Sequence, residues 1–200
     1  MNSLFDSPGR TLFIGLGVVG LALALWLLTW PVDSRGLISV LLRFVHVVSA
    51  MAWVGLIFFV NFVQLEALQK ADEASRSAIL RWIVPRVAAG FRHASHLTVL
   101  SGVLLLFATG YLLSDWVFSS AVYTPPPRTL MLTVGALGGL LMWGLVHFAI
   151  WPSLKVVLGQ AEGDADARAR AQQTVKRCAR FNLVLALPVT FAMVVAAHLS

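Results

Sequence analysis

Apolar positions along the chain fall into long unbroken runs instead of one-sided stripes. Five stand out: Thr11–Trp30, Leu37–Val63, Val87–Trp116, Thr129–Leu158 and Phe181–Leu199. A helix that crosses a bilayer needs about 20 mostly apolar residues, so each run predicts one spanning helix. The expected fold is all-α, an integral membrane bundle of five transmembrane helices in one domain, 1–200. Pro31 stops the first run, and "TPPPR" precedes the fourth. The second to fourth runs exceed the minimum, which predicts tilt or extension beyond the hydrocarbon. Two polar connections separate them. "LEALQKADEASRSAILRWIVPR" is amphipathic and reads as a helix lying along the membrane surface. "GQAEGDADARARAQQTVKRCAR" is polar and Ala-rich and reads as an extension of helices four and five. The first run is too long for a signal-peptide core, and no small-residue cleavage site follows it, so a retained helix is expected. "GALGGL" in helix four is a small-residue patch where another helix can approach closely.

Composition supports the membrane reading. Hydrophobic residues make up 58% and charged residues 12%, against roughly 25% charged in a soluble domain. The net charge of +6 therefore points to loops facing an anionic leaflet, not to nucleic acid. Orientation follows the Lys and Arg distribution. Five crossings put Arg10, Lys70, Arg76, Arg81, Arg86, Arg168, Arg170, Lys176, Arg177 and Arg180 on one side, with Arg92 and Lys155 at helix ends there. Arg35 and Arg128 fall on the other side, and Arg43 lies inside helix two. The N-terminus is expected in the cytoplasm of a bacterium whose inner membrane holds the chain. The single cysteine, Cys178, excludes an internal disulfide and a thiolate metal cage.

Ionisable groups inside a span are costly and point to function. No Asp or Glu occupies the centre of a run, which argues against a carboxylate proton relay. The polar set is Arg43, His46, Asn61, Arg92, His93, His96, His147, Asn182 and His198. At ~1.5 Å per residue, His46 lies roughly 12 Å below the outer face, and His96 roughly 14 Å above the cytoplasmic face. The two approach one level, and His147 falls nearer the level of His93. Imidazole is a common metal ligand, so histidines from separate helices predict a metal centre. His46, His96 and His147 are the candidate metal ligands, and His93 is the reserve. Arg43 and Arg92 are candidates to pair with haem propionates. Trp53, with Trp143 and Phe91, would suit a porphyrin pocket. Asn61 and Asn182 read as interhelical glue, and His198 as a surface residue. The expected cofactor is haem b, with copper or zinc as the alternative. Met51, Met131, Met142 and Met193 are scattered, which argues against soft-metal transport.

"LLRFVHVVSAMAWVGLIFFVNFVQ" resembles the first helix of the membrane domain of bacterial cytochrome-linked urate oxidases. "IVPRVAAGFR", "LMWGLVHFAIWPSLKVV" and "RFNLVLALPVTFAMVVAAH" are similar to other parts of it, so that the likeness covers residues 37–200. The spacing of Arg43, His46, Trp53, Gly55, Asn61 and Gln64 is its most specific part. The element H-x(6)-W-x-G is also similar to one in haem-binding membrane protoporphyrinogen oxidases and, more loosely, in copper-resistance membrane proteins. The resemblance implies His46 as an axial haem ligand. It describes a stand-alone form, without the oxidase's cytochrome c domain and with an added helix at 11–30. Where the family pattern has Trp-Gly-Ala after Phe-Arg, this chain has His93, Ala94, Ser95 and His96, and His147 replaces an aromatic residue.

The leading expectation is an integral membrane b-haem redox protein that transfers electrons at the bilayer. Its partners would be membrane lipid and a cytochrome or quinone, in a homo-oligomer or a larger complex. One alternative is a non-redox subunit or assembly factor in which the histidines only pack. The other is an enzyme, a urate or porphyrinogen oxidase.

Overall fold

The computed structural model describes residues 6–111 and 127–198. Every regular element among them is helical. We label the five long helices α1 (Pro8–Thr29), α2 (Ser34–Lys70), α3 (Glu73–Ala108), α4 (Pro127–Val157) and α5 (Ala165–His198). All five are long and apolar enough to cross a membrane. The expected end of the third run, 112–116, and Leu199 lie outside the described residues. At 37, 36 and 31 residues, helices α2 to α4 are about 45–55 Å long. That exceeds a ~30 Å hydrocarbon core, as their run lengths predict.

The chain divides into two compact units, Met1–Val40 and Leu41–Ser200. In the first, α1 has Pro8 in its opening turn, where its missing N–H costs nothing. It ends because Pro31 pushes Trp30 into an extended conformation, φ −127° and ψ 128°. Asp33 then starts α2 by accepting the Gly36 N–H at 2.7 Å.

In the second unit, the amphipathic stretch expected as one surface helix is split. Its first residues finish α2, Ala71 turns extended, and Asp72 caps α3 by accepting the Ser75 N–H at 2.8 Å. Hydrogen bonds from Ser75 hold the Asp72 carboxyl below its ordinary range. Gly159, at φ +69°, ends α4 in a left-handed turn that a side chain would oppose. Asp164 then caps α5 through the Ala167 N–H.

Three stretches widen from α-helical to π-helical winding: Phe59–Gln64 in α2, Ile79–Ile83 in α3 and Leu145–Ile150 in α4. Nothing in the apolar periodicity signals these turns. Such bulges free main-chain carbonyls and gather at functional positions.

The core joins Trp53 and Ile57 of α2 with Met142 and Val146 of α4 and Ala186 of α5. Phe91 and Ala94 of α3 pack against it. The small-residue patch of α4 faces α5. A Cβ at Gly135 would stand 3.0 Å from the Met193 side chain, and one at Gly138 would collide with Val189, whereas Gly139 has open space. Gly138→Leu should therefore lower stability by about 1–3 kcal/mol through overpacking, while Gly139→Ala should change it little. Thermal unfolding of the two purified variants in one detergent checks this, and equal midpoints would contradict the α4–α5 seam.

Candidate functional site

The histidines lie in the second unit, and α3 sorts them onto different faces. Residues two apart on an α-helix point about 160° away from each other, so Thr98 and His96 look in nearly opposite directions. His46, on α2, meets the Thr98 face: its Nδ1 lies 2.9 Å from the Thr98 carbonyl oxygen. Ser101 Oγ is 3.5 Å from the same nitrogen. The ring lies flush on the backbone of Gly102, where a Cβ would stand 2.9 Å from His46 Cε1. A carbonyl only accepts, so Nδ1 carries the proton and Nε2 keeps its lone pair. Ligating histidines take this arrangement, with the second nitrogen tied to a carbonyl. Arg43, one turn away, is exposed.

His96 meets α4 instead. Its ring lies 4.0 Å from that of His147, tilted 41°, and Trp143 stacks on His147 at 4.7 Å. The Trp143 indole N–H donates to His96 Nδ1 at 3.1 Å. His147 Nδ1 donates to the Trp143 carbonyl, 2.9 Å away, within the wide turn of α4. His96 therefore presents Nε2–H, while His147 has a buried Nε2 lone pair with no partner. The sequence places His46 and His96 at one height; the structure brings His96 to His147 and leaves His46 on the other side of α3.

The remaining candidates separate further. His93 is exposed. The Arg92 guanidinium stacks on Trp151, 4.4 Å from the ring centroid. Trp53 is buried in the core at 3% exposure, and its indole N–H has no partner. His198 is exposed and bonds only its own helix, Nδ1 to the Val194 carbonyl at 2.8 Å. Asn61 is glue at one end: its amide nitrogen donates to the Ile57 carbonyl at 2.9 Å and across to the Ala179 carbonyl of α5 at 3.1 Å. Its oxygen has no partner, nor has the side-chain oxygen of Gln64, nor either end of the Asn182 amide, fully buried on α5.

Asn61, Gln64, Arg92 and Trp151 share a cavity of about 60 Å³. Trp151 and the orphaned oxygen of Gln64 are features that sequence reasoning passed over. A tryptophan near a helix end looks like an interfacial anchor, and no spacing rule links it to Arg92 on another helix.

A porphyrin clamped between two of these imidazoles does not fit. His96 and His147 are in ring contact, His147 Nε2 is enclosed, and His46 and His96 face opposite sides of α3. His46 alone has the donor chemistry to hold such a group, since its Nε2 would be free to bind while Nδ1 bonds the Thr98 carbonyl. Among the described residues, no group of three or more His, Cys, Asp or Glu side chains gathers to hold a metal ion. Compared with family models, with curated proteins and with solved structures, the chain finds no match.

The indole–imidazole bond between α4 and α3 should carry measurable coupling. In membrane proteins such interhelical bonds average about 0.6 kcal/mol and reach about 1.7. A double-mutant cycle of Trp143→Phe and His96→Phe, read by unfolding free energy, should return a coupling in that range. Strictly additive losses would remove the bond from the account.

Proposed function

We propose that the chain is a multi-pass protein of the bacterial inner membrane that holds haem b through His46 and passes electrons at the bilayer. Its N-terminus lies in the cytoplasm, on the side richest in Lys and Arg. Five helices of membrane-spanning length support the first part. The bond from His46 Nδ1 to the Thr98 carbonyl carries the second. It fixes the tautomer, stops the ring from rotating and aims a lone pair away from α3. Gly102 supports the same posture by letting the ring lie against the helix backbone. The resemblance of residues 41–64 to the membrane domain of cytochrome-linked urate oxidases, and of the H-x(6)-W-x-G element to haem-binding membrane protoporphyrinogen oxidases, adds to this reading.

Bound haem supplies one-electron exchange. The chain's own contribution is ring orientation through Thr98, close helix approach through Gly102, and an apolar surround that sets potential by excluding water. Arg43, exposed one turn from His46, is placed for an anionic group beside that ring. His96, held against Trp143 and His147 on the other face of α3, would not help His46 hold the group.

A second reading, a non-redox membrane subunit, draws support from the His96–Trp143–His147 stack. That cluster ties α3 to α4 with hydrogen bonds spent within the cluster itself, as packing glue does. An oxidase acting on urate or a porphyrinogen would use the same His46 centre, and product formation by the haem-loaded protein separates it from an electron carrier.

Protein purified from haem-replete cells should show a b-type reduced-minus-oxidised spectrum. His46→Ala and Gly102→Val should lose more than nine-tenths of the pyridine haemochrome signal, while His96→Ala keeps it. No haem in folded wild-type protein, or equal loss in His96→Ala, would defeat the assignment.

A further inference from the structure

The cavity beside Arg92 is built for a ligand of restricted chemistry. Its wall joins three helices and the wide turn of α2, with Asn61, Gln64, Phe91, Arg92, Trp151 and Ala179 among the lining residues. Two unpartnered acceptors stand in that wall. Asn61 is 1% exposed and Gln64 9%, and the side-chain oxygen of each has no hydrogen-bond partner. The Asn61 amide is not reversed, because its nitrogen already donates to two carbonyls. The Asn61 oxygen therefore needs an incoming donor, and the Gln64 oxygen is unbonded in the same wall.

Arg92 needs the opposite. No carboxylate pairs with it among the described residues, where the single ion pair is Lys70–Glu66. Its guanidinium rests on Trp151, and the Lys155 ammonium approaches the same ring at 5.7 Å. Stacking uses the flat face of the guanidinium and is worth about 0.5–2 kcal/mol, while the N–H groups on its edge stay available to an acceptor in the cavity. Arg92 calls for an anionic acceptor.

We propose that this cavity binds a small oxyanion that carries its own O–H group, with the anionic oxygens on Arg92 and the O–H donated to Asn61 or Gln64. Size narrows the choice. A water needs about 10–15 Å³ of such space, so about 60 Å³ takes four to six water-sized groups. Hydrogencarbonate, with four heavy atoms, fits; dihydrogen phosphate is at the upper limit. Nitrate and formate match the charge but lack the O–H. A lipid phosphate monoester offers the same chemistry from a second source. The site does not depend on His46, so His46→Ala protein should bind equally well.

Thermal unfolding of the purified full chain in nanodiscs of zwitterionic lipid tests this at constant ionic strength. Sodium hydrogencarbonate should raise the midpoint in a saturable way, and sodium nitrate should not. Arg92→Gln should abolish the response, and Gln64→Met should weaken apparent affinity several-fold. If Arg92→Gln fails to fold, Gln64→Met and the nitrate control decide alone. Nanodiscs doped with phosphatidic acid distinguish the sources: a midpoint raised before any salt is added, with no further hydrogencarbonate response, assigns the site to lipid. Equal stabilisation by nitrate and hydrogencarbonate, or no saturable response to either anion or to phosphatidic acid, overturns the proposal and leaves a cavity filled by water.

Discussion

Inside an apolar helical bundle every polar group must find its partner within the chain, because neither lipid nor a packed neighbour offers one. This constraint organises the second unit. In the wide turn of α2, Asn61 turns its amide nitrogen back onto the Ile57 carbonyl. In the wide turn of α4, His147 turns its Nδ1–H back onto the Trp143 carbonyl in the same way. Thr98, Ser101 and Ser95 bond carbonyls one turn back on α3, so a polar face can be buried without a cost in unmet donors. His46, His96 and His147 obey the same rule. Each spends one nitrogen on a nearby carbonyl or indole, and that bond decides which tautomer the other nitrogen shows.

Magnitudes then show where the bundle is incomplete. Among the described residues, six buried side-chain atoms lack partners, on Trp53, Asn61, Gln64, His147 and Asn182. Each unmet group costs about 1–3 kcal/mol. Six together would consume most of a typical stability of about 5–15 kcal/mol. Interhelical hydrogen bonds at about 0.6 kcal/mol each are too weak to offset that. The two in the Arg92 cavity have space beside them, which is why a ligand is argued there and not at Asn182, whose amide is enclosed by packed side chains.

The fold was readable because length and hydropathy set it. Run lengths give the helices, Pro31 gives the end of α1, and "GALGGL" gives the seam with α5. Asp72 is a favoured N-cap residue and does cap α3, but the amphipathic stripe running through it suggested one continuous helix. The site was less legible for a physical reason. Depth along a helix can be counted from sequence, but rotation about its axis cannot be fixed when every face is apolar. His46 meets α3 at Thr98, two residues beyond His96, yet those two positions face nearly opposite ways, and His96 turns to Trp143 instead. A wide turn adds a further error, since each shifts the register of all residues beyond it by one position. His147 lies inside such a turn, and Asn61 and Gln64 lie inside another.

The wide turns also explain the composition of α5. A π-helical stretch is broader than the helix on either side, so a neighbour packed against it must be narrow. α5 runs past the wide turns of both α2 and α4. It presents Ala179, Asn182 and Ala186 to the bundle, all buried, at helical spacing on one face. The Ala179 carbonyl comes close enough to accept from Asn61 at 3.1 Å, an approach that a larger residue at 179 would prevent. The small residues of α5 and the widened turns of its neighbours are thus two halves of one adaptation. The widening exposes polar groups that a regular helix would satisfy, and the narrow partner lets those groups reach across. Where the reach falls short, at Gln64 and at the oxygen of Asn61, the cavity beside Arg92 opens.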